Sequence, residues 1–392
     1  MKVLFTSVYR DGRGYSQGAI DHILSCQAAG LDVVCRPVRM SKPPHNQKCI
    51  LEDLENKDLQ NVDVIIEYCL PHTFEKKEGV KTIGMFDWES SHFNRSCWAE
   101  SINKMDEIWV PCIQNKYACL NSGVTIPIKI LPHSINLKKF DNKPKPLDLP
   151  LLKDKCVFLF VGENNRRKNI VGLIRAYYAA FTNKENVLLI IKTGSPEHNP
   201  SQSMRIMNKF IQDIKQAVHI HKDIKNYPQI MVITDHVSEE QLAQLYVSSN
   251  VFVSCSHGEG GNLGAMDAMS LGKSVILSNW GNHPELTYAQ AEKYWMTDQE
   301  VFKHPGEVDC GWLIPGQLTY CFGQLSGFND IYTGCEKWFD ADMPAFVDIM
   351  QKAYKEYQDG SLNKRGQAAK ERVKHFSYEK ISIIIKEILN NV

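Results

Sequence analysis

Short apolar runs alternate with polar and glycine-rich stretches along the first third of the chain. The first run, KVLFTSVY, ends at RDGRG; a helical pattern from about Ser16 to Ala29 stops at Gly30, and a second apolar run, LDVVCRPV, follows. A strand, a glycine-rich turn, a helix and another strand are the opening of a doubly wound α/β domain. We predict further buried strands at VDVIIEY, VKTIGMF, DEIWVP and IPIKILP.

A proline-rich segment separates this pattern from a second one. FDNKPKPLDLP, from Phe140 to Pro150, has three prolines in eleven residues and indicates a semi-rigid linker. The pattern then restarts with a strand at CVFLFVGE, a helix at IVGLIRAYYAAF and a strand at NVLLIIKTG, followed by strands at QIMVITDHV, VFVSCS and SVILSN. Residues 287–340 show no regular pattern. The tail SYEKISIIIKEILNNV predicts an amphipathic helix with Ser377 as its N-cap.

The two patterns predict two α/β domains, at residues 1–145 and 151–370, followed by a C-terminal helix at 371–392. The length of 392 residues agrees with two domains. Two parallel sheets joined by a short linker form a cleft between the carboxyl ends of their strands. Because ligands of open α/β sheets bind at those ends, we expect the functional site in this cleft.

Composition narrows the class of protein. Lys+Arg and Asp+Glu both number 45, so the formal net charge is zero and overall charge does not favour nucleic-acid or membrane binding. The 12 cysteines form no CxxC pair and show no zinc-binding spacing. The first apolar run is too short for a signal peptide, and no stretch predicts a transmembrane helix. We expect a reduced, cytoplasmic protein, and a peripheral position at a membrane surface stays open.

Two carboxylates, those of Glu259 and Asp267, lie on either side of a predicted helix start. Both belong to residues 254–286, SCSHGEGGNLGAMDAMSLGKSVILSNWGNHPEL. The bend between them consists of Gly260, Gly261, Asn262, Leu263 and Gly264. Free N–H groups at a helix start bind anions such as phosphate, whereas carboxylates accept hydrogen bonds from hydroxyl groups. A phosphate flanked by two polyols meets both demands, so the stretch predicts a nucleotide-sugar site.

The segment EGGNLGAMDAMSLGKSVI resembles the donor-binding motif of retaining GT-B glycosyltransferases of the glycogen-synthase-like superfamily, the glycosyl transferases group 1 (family-4-like). Their usual pattern is E-G-F-G-L-P-x-x-E-A-M-A-x-G-x-P-V-I. FVGENNRRKNIVGLIRAY resembles the segment that carries an Arg/Lys pair for the diphosphate, here Arg167 and Lys168. The resemblance implies that Glu259 contacts the donor sugar and that Asp267, in place of the usual glutamate, contacts the ribose.

Other segments extend the resemblance over most of the chain. FDWESSHFNRSCWAESINKMDEIWVPC and KILPHSIN are similar to segments of the N-terminal domain, and EKWFDADMPAFVDIMQKAY and FSYEKISIIIKEIL are similar to C-terminal segments. The implied fold is GT-B: two Rossmann-like doubly wound domains face a cleft, and the last helix crosses back to the first domain. Gly261, Asn262 and Gly264 depart from the usual Phe, Gly and Pro, and Glu163 replaces an arginine of many relatives.

The resemblance also implies the roles of individual residues. Catalytic contributions are expected from Glu259, Arg167, Lys168 and Asp87. The donor is expected to contact Gly14, Arg167, Lys168, Glu259, Gly260, Gly261, Asn262, Leu263 and Asp267. Glu89 and His133 are expected on the acceptor side, and no residue is assigned to a metal.

Simpler interpretations compete with these roles. Arg167 and Lys168 also fit a solvated charge run, and RDGRG fits an ordinary tight turn. His257 beside Glu259 is a weak metal signal, and Asp340 to Asp342 precede a helical pattern, which favours a helix N-terminus over a metal site.

The predicted function is that of a hexosyl- or pentosyltransferase that uses a UDP- or GDP-linked sugar as substrate, with retention and without a cofactor or metal. The acceptor stays open among a glycan, a lipid, a protein and a modified nucleic-acid base, and so does the oligomeric state. A nucleotide-sugar epimerase, a dinucleotide-dependent oxidoreductase and a catalytically inactive binding protein are the alternatives. The glycine turn is not a full GxGxxG fingerprint, which disfavours the oxidoreductase.

Overall fold

A computed structural model describes residues 1–12, 14–38, 50–93, 97–195, 197–288, 307–321 and 332–390. Everything structural below concerns these ranges. None of their helices combines the length and the apolar character needed to cross a membrane. Residues 289–306 and 322–331, within the stretch without a regular sequence pattern, lie outside the described residues.

Six parallel strands form the first sheet, in the order β2-β1-β3-β4-β5-β6. They are β1 (Lys2–Ser7), β2 (Asp32–Pro37), β3 (Val64–Tyr68), β4 (Lys81–Met85), β5 (Glu107–Val110) and β6 (Ile128–Ile130). The helices between them are α1 (Gly14–Ala28), α2 (Glu52–Glu55), α3 (Trp98–Ile102) and α4 (Ile113–Asn121). Every apolar run expected to form a strand in this part of the chain does so, because helices and loops cover both faces of a parallel sheet and bury its apolar residues.

The second sheet has the strand order β12-β13-β11-β10-β7-β8-β9, and only β12 runs antiparallel. Its strands are β7 (Cys156–Val161), β8 (Val187–Lys192), β9 (Ile230–Ile233), β10 (Val251–Ser254), β11 (Ser274–Ser278), β12 (Glu307–Val308) and β13 (Gly311–Ile314). The helices of this part are α5 (Ile170–Ala180), α6 (Pro200–Val218), α7 (Glu239–Ser248), α8 (Leu263–Ser270), α9 (His283–Thr287), α10 (Met343–Asp359) and α11 (Leu362–Val373).

A two-stranded hairpin, β14 (Gly316–Tyr320) and β15 (Lys337–Ala341), lies outside both sheets. The expectation that residues 287–340 are irregular is therefore wrong for β12 to β15. These strands have two to five residues, and β14 shows no buried alternation, so they leave no periodic signal. The hairpin reaches the first domain, where Ser91 donates its N–H to the Lys337 carbonyl at 2.7 Å.

The last helix, α12 (Tyr378–Asn390), packs on α1 of the first domain. Its fully buried Ile381 and Ile385 join the core formed by β1 and β3, and Tyr378 donates a hydrogen bond to Asp21. Ser377 accepts a long hydrogen bond of 3.4 Å from the N–H of Lys380, in the position of an N-cap. The chain thus returns to the first domain, as the resemblance implies.

Candidate active site

The loop between β10 and α8, residues 255–262, leaves the carboxyl end of a central strand and faces the carboxyl edge of the first sheet. It approaches the first domain so closely that side chains would not fit at three of its glycines, Gly258, Gly260 and Gly261. A β-carbon added at Gly258 would lie 2.2 Å from the Glu89 carbonyl oxygen, and one at Gly261 would lie 2.2 Å from the His133 ring. The glycine that replaces the usual Phe of the motif is explained by this contact with His133.

Two cations, Arg167 and Lys168, form ion pairs with Glu259. Lys168 donates to both carboxylate oxygens, at 2.7 Å and 3.0 Å. Arg167 donates to Oε2 at 3.1 Å and to the Gly258 carbonyl at 2.6 Å. Only 2 % of Glu259 is exposed. Burial alone would raise the pKa of this carboxyl, but Lys168 and Arg167 outweigh it and lower the pKa to about 2. Arg167 and Lys168 are therefore paired with a buried carboxylate and do not form a solvated charge run.

Asn165 and Asn169 fix the position of these cations. Arg167 and Lys168 lie in a single 3-10 turn after β7, and the Asn165 side chain accepts the Lys168 N–H at 3.0 Å. Asn169 adopts a left-handed conformation with φ of 53° and caps α5. The turn therefore aims two neighbouring cations at the start of α8.

Arg167 also contacts the first domain, because its Nη2 lies 3.4 Å from Oε1 of Glu89. The other Glu89 oxygen accepts a hydrogen bond of 2.9 Å from Tyr332. Burial raises the pKa of Glu89, and Arg167 opposes that rise. Burial would lower the pKa of Arg167, but Glu89 and Glu259 raise it above its usual value. One guanidinium thus joins carboxylates of both domains across the cleft.

Asp87 and His133 form a second polar group on the edge of the first sheet. His133 Nε2 lies 3.0 Å from Asp87 Oδ1, and Tyr68 donates to the other oxygen at 2.6 Å. Burial would raise the pKa of Asp87, but His133 lowers it overall. Burial would lower the pKa of His133, but Asp87 raises it overall. Asp87 also lies against Gly260, so this pair borders the loop that carries Glu259.

Asp267 lies in α8 and is 8 % exposed. Lys139 donates to its Oδ2 at 2.8 Å. Burial raises the pKa of Asp267, and Lys139 only partly offsets the rise. Lys139 directly precedes the proline-rich linker, and sequence reasoning missed it because the two partners are 128 residues apart.

The remaining expected donor contacts are Gly14 and Leu263. Gly14 is exposed and is the first residue of α1, with open space around it. Leu263 is the first residue of α8 and packs against the core of the second domain. The structure therefore places Leu263 directly after the loop 255–262 and leaves Gly14 in the first domain, at the start of α1.

Two motifs weighed as metal signals have other partners. His257 stacks on Trp338, with ring centroids 4.3 Å apart, and its Nδ1 lies 2.6 Å from the Phe339 carbonyl. Asp342 is the N-cap of α10 and accepts the Ala345 N–H at 2.9 Å. Over the part of the chain that the structure describes, no three His, Cys, Asp or Glu side chains are grouped to hold a metal ion.

Known proteins share this architecture. Residues 155–302 match the family described as glycosyl transferases group 1, which confirms the resemblance over that part of the chain. No curated protein matches the sequence. Sucrose-phosphate synthase from Thermosynechococcus elongatus superposes with a TM-score of 0.63 at 16% identity, over 100% of this chain and 98% of that one.

Two further structures hold a nucleotide-sugar. The E. coli trehalose-6-phosphate protein bound with UDP-2-fluoro glucose has a TM-score of 0.65 at 11% identity, over 100% of this chain and 99% of that one. Anabaena Alr3699/HepE in complex with UDP-glucose has a TM-score of 0.63 at 12% identity, over 100% of both chains. At these identities the similarity establishes the fold, which is GT-B with two Rossmann-like domains.

Proposed function

We propose that this chain, whose fold is GT-B and whose residues 155–302 match the group 1 glycosyltransferases, transfers a sugar from a nucleotide-diphosphate sugar to a hydroxyl group of an acceptor. The observation that carries the proposal is the convergence of Arg167 and Lys168 on Glu259 at the N-terminus of α8. Two half-buried cations beside the loop that leads into a helix N-terminus are suited to a diphosphate, and a carboxylate beside them is suited to sugar hydroxyls.

Donor binding would exchange the partners of these charges. The diphosphate takes the place of Glu259 and Glu89 beside Arg167 and Lys168, and the first N–H groups of α8, which have no intrahelical acceptor, also point at it. Glu259 then accepts hydrogen bonds from the sugar, and Asp267 from the ribose. Two structures of the same fold contain UDP-linked sugars, which supports a UDP-linked donor here.

The reaction needs charge stabilisation at the leaving group. As the bond between the sugar and the diphosphate breaks, negative charge grows on the phosphate oxygen, and the preorganised cations Arg167 and Lys168 stabilise it. Asp87 is paired with His133, and Glu259 would be engaged by the sugar hydroxyls once the diphosphate has taken its place beside Arg167 and Lys168. We therefore assign no protein nucleophile and propose transfer on one face of the sugar, with retention. The first domain, with Glu89 and His133, would contact the acceptor.

A panel of UDP- and GDP-linked sugars tests the proposal. Thermal shift identifies the donor, and release of the nucleoside diphosphate is then followed with and without glycan, lipid, protein and nucleic-acid acceptors. We expect one donor to be consumed and its sugar to appear on an acceptor, with the anomeric configuration read by NMR. An epimerase would release free sugar at the same rate whatever acceptor is added, and a binding protein would release nothing.

Transfer is expected to continue in EDTA. Arg167 and Lys168 supply two full positive charges where the diphosphate would bind, which is the role that a divalent ion has in other transferases. Turnover should stay within about 2-fold of its original rate after EDTA treatment, far less than the change caused by losing one charge-stabilising group. Loss of activity in EDTA that Mg²⁺ or Mn²⁺ restores would contradict this expectation.

Glu259→Gln should separate sugar orientation from diphosphate binding. The amide keeps the size of the side chain but loses the negative charge that strengthens hydrogen bonds from the sugar hydroxyls. A hydrogen bond to a charged group contributes about 1–3 kcal/mol to binding. We expect transfer to slow about 5- to 150-fold. The nucleoside diphosphate should bind at least as tightly as to the parent, since the carboxylate that pairs with Arg167 and Lys168 is gone. Calorimetry that shows equal weakening for nucleoside diphosphate and nucleotide-sugar would overturn the assignment.

A further inference from the structure

His283 lies directly behind the loop of residues 255–262, the donor loop of the proposed function. It is the first residue of α9, and no part of it is exposed to solvent. Its Nε2 is 2.9 Å from Nδ2 of Asn262, and its Nδ1 is 2.9 Å from the carbonyl oxygen of Ser278. Sequence reasoning gave Asn262 as an expected donor contact and as a departure from the usual motif, and did not single out His283.

The partners fix the protonation of the imidazole. The Ser278 carbonyl can only accept a hydrogen bond, so Nδ1 carries the hydrogen. Asn262 Oδ1 accepts the N–H of Ala265 at 3.1 Å, so its Nδ2 faces His283 and donates. Nε2 must then accept with its lone pair. The geometry therefore requires a neutral imidazole with its hydrogen on Nδ1.

Asn262 is the N-cap of α8, the helix whose first N–H groups face the proposed diphosphate. The segment that carries His283 also holds Glu259, because Asn282 donates its N–H to the Glu259 carbonyl at 3.0 Å. Gly281, with φ of 69°, passes so close that an added β-carbon would lie 2.2 Å from that carbonyl oxygen. Residues 278–283 thus support the donor loop at Glu259, in its middle, and at Asn262, where it ends.

We propose that His283 is a positioning residue of the donor site: its neutral imidazole fixes the Asn262 amide and thereby the start of α8, so that the helix N–H groups and Glu259 keep their aim at the diphosphate and the sugar. This inference rests on the proposed function for its role in turnover. It does not rest on it for the structural link itself, which can be measured without any reaction.

Protonation of His283 would break the link. A proton on Nε2 would face the Nδ2 hydrogens of Asn262, and turning the amide would remove the acceptor from the Ala265 N–H. The charged groups that face His283 are Glu259, on the donor loop, and Lys168, on the turn after β7. Burial lowers the pKa of His283 to about 4, and Glu259 opposes this. Its stabilising contribution is complete above the ordinary value of 6.5 and is lost as the pH falls toward 4.

Two substitutions at residue 283 differ in whether a hydrogen-bond acceptor faces the Asn262 amide. His283→Gln places an amide oxygen near the position of Nε2, whereas His283→Leu has a similar size and no acceptor. We expect the leucine variant to raise the donor KM and the Kd for UDP about 10-fold, which is the effect of about 1.4 kcal/mol, with a smaller change in kcat. The glutamine variant should recover most of the loss. If the leucine variant binds UDP and donor like the parent, the proposal is overturned.

Asn262→Asp gives an independent test, because this variant is expected to fold as the parent does. Aspartate is as good an N-cap as asparagine, so a purely structural role predicts no pH dependence. The added carboxylate would face the Nε2 lone pair and should move the pKa of His283 above 6.5. NMR titration of the histidine side chains, with His283→Gln to assign the signal, should show this shift, and the Kd for UDP should weaken as the pH rises through the new pKa.

The outcomes separate the two proposals. A parent protein that binds UDP but turns over no donor contradicts the proposed function, while the NMR titration and UDP affinities still test His283. A pH-independent Kd for UDP in Asn262→Asp, or an unshifted His283 signal, overturns the positioning role even when the parent transfers sugar.

Discussion

Arg167→Ala is expected to lower turnover about 100- to 1000-fold, the usual cost of removing one preorganised charge-stabilising group. The Arg167 guanidinium is held by the Gly258 carbonyl at 2.6 Å, by Glu259 at 3.1 Å and by Glu89 at 3.4 Å. Its position is therefore set before any donor arrives. Because charge on the leaving phosphate grows as the bond breaks, this interaction is stronger in the transition state than in the ground state.

Lys168→Ala tests the second cation of the same turn. Arginine can contact two phosphate oxygens at once, whereas lysine acts as a point charge, so we expect the larger loss at Arg167. Arg166→Ala is the matched control: it removes the same charge from the same turn, and Arg166 is exposed and lies over the Trp338 ring, 6.0 Å from its centroid. The control should turn over donor like the parent.

Binding measurements complete the test. Both Arg167→Ala and Lys168→Ala should bind the nucleoside without phosphates as the parent does and bind the nucleoside diphosphate more weakly. Parental turnover in both variants would show that this turn has no part in the chemistry, and the donor site would have to lie elsewhere.

The strands of the first sheet and β7 to β11 of the second could be predicted from sequence because parallel strands are buried on both faces and appear as continuous apolar runs. CVFLFV and VLLIIK are examples, and both form central strands. Asp342 at a helix N-terminus was also predictable, because capping depends on residues close in sequence. The hairpin of β14 and β15 was not, since its short strands depend on contacts with His257 and Ser91, both distant in sequence.

Contacts between residues distant in sequence were also missed in the candidate site. The motif identified Glu259, Arg167 and Lys168, but not that the three pair directly with one another. Lys139 and Asp267 belong to different domains, and Asp87 and His133 belong to segments of the first domain that are 46 residues apart, so neither link is visible in the local sequence. Local pattern predicts which residues have suitable chemistry, whereas tertiary structure decides which partner each of them has.

The ion pairs of the candidate site and the close contact of its loop with the first domain stand in the way of a donor. Glu89 and Glu259 pair with the cations that the proposed function assigns to the diphosphate, and Gly258 and Gly261 lie directly against the first domain. If the donor binds as proposed, it has to separate the loop at 258–261 from His133 and the segment around Glu89 first. Movement of the domains about their proline-containing linker is the simplest route, and closing again over the donor would exclude water from the transfer.

Gly261→Ala should hold the domains apart, because the new methyl group would lie 2.2 Å from Cδ2 of His133. His133 is buried and bonded to Asp87, so its ring cannot move away without losing that bond. Overpacking of this kind costs about 1–3 kcal/mol, and here separating the loop from His133 relieves it. We expect a larger radius of gyration by small-angle scattering and turnover reduced about 10-fold or more, since 1.4 kcal/mol already corresponds to a factor of ten.

Two comparisons identify the contact with His133 as the cause. Gly264→Ala changes the first turn of α8, just after the loop, and its added β-carbon would meet Phe252 and Tyr246 of the second domain, at 3.1 Å and 3.2 Å. That variant should lower stability without expanding the molecule. In the double variant Gly261→Ala with His133→Ala, the clash is gone, so the radius of gyration should return to that of the parent while transfer stays impaired by the loss of His133. If Gly261→Ala alone scatters like the parent with full turnover, the close contact between the donor loop and His133 does not exist in solution.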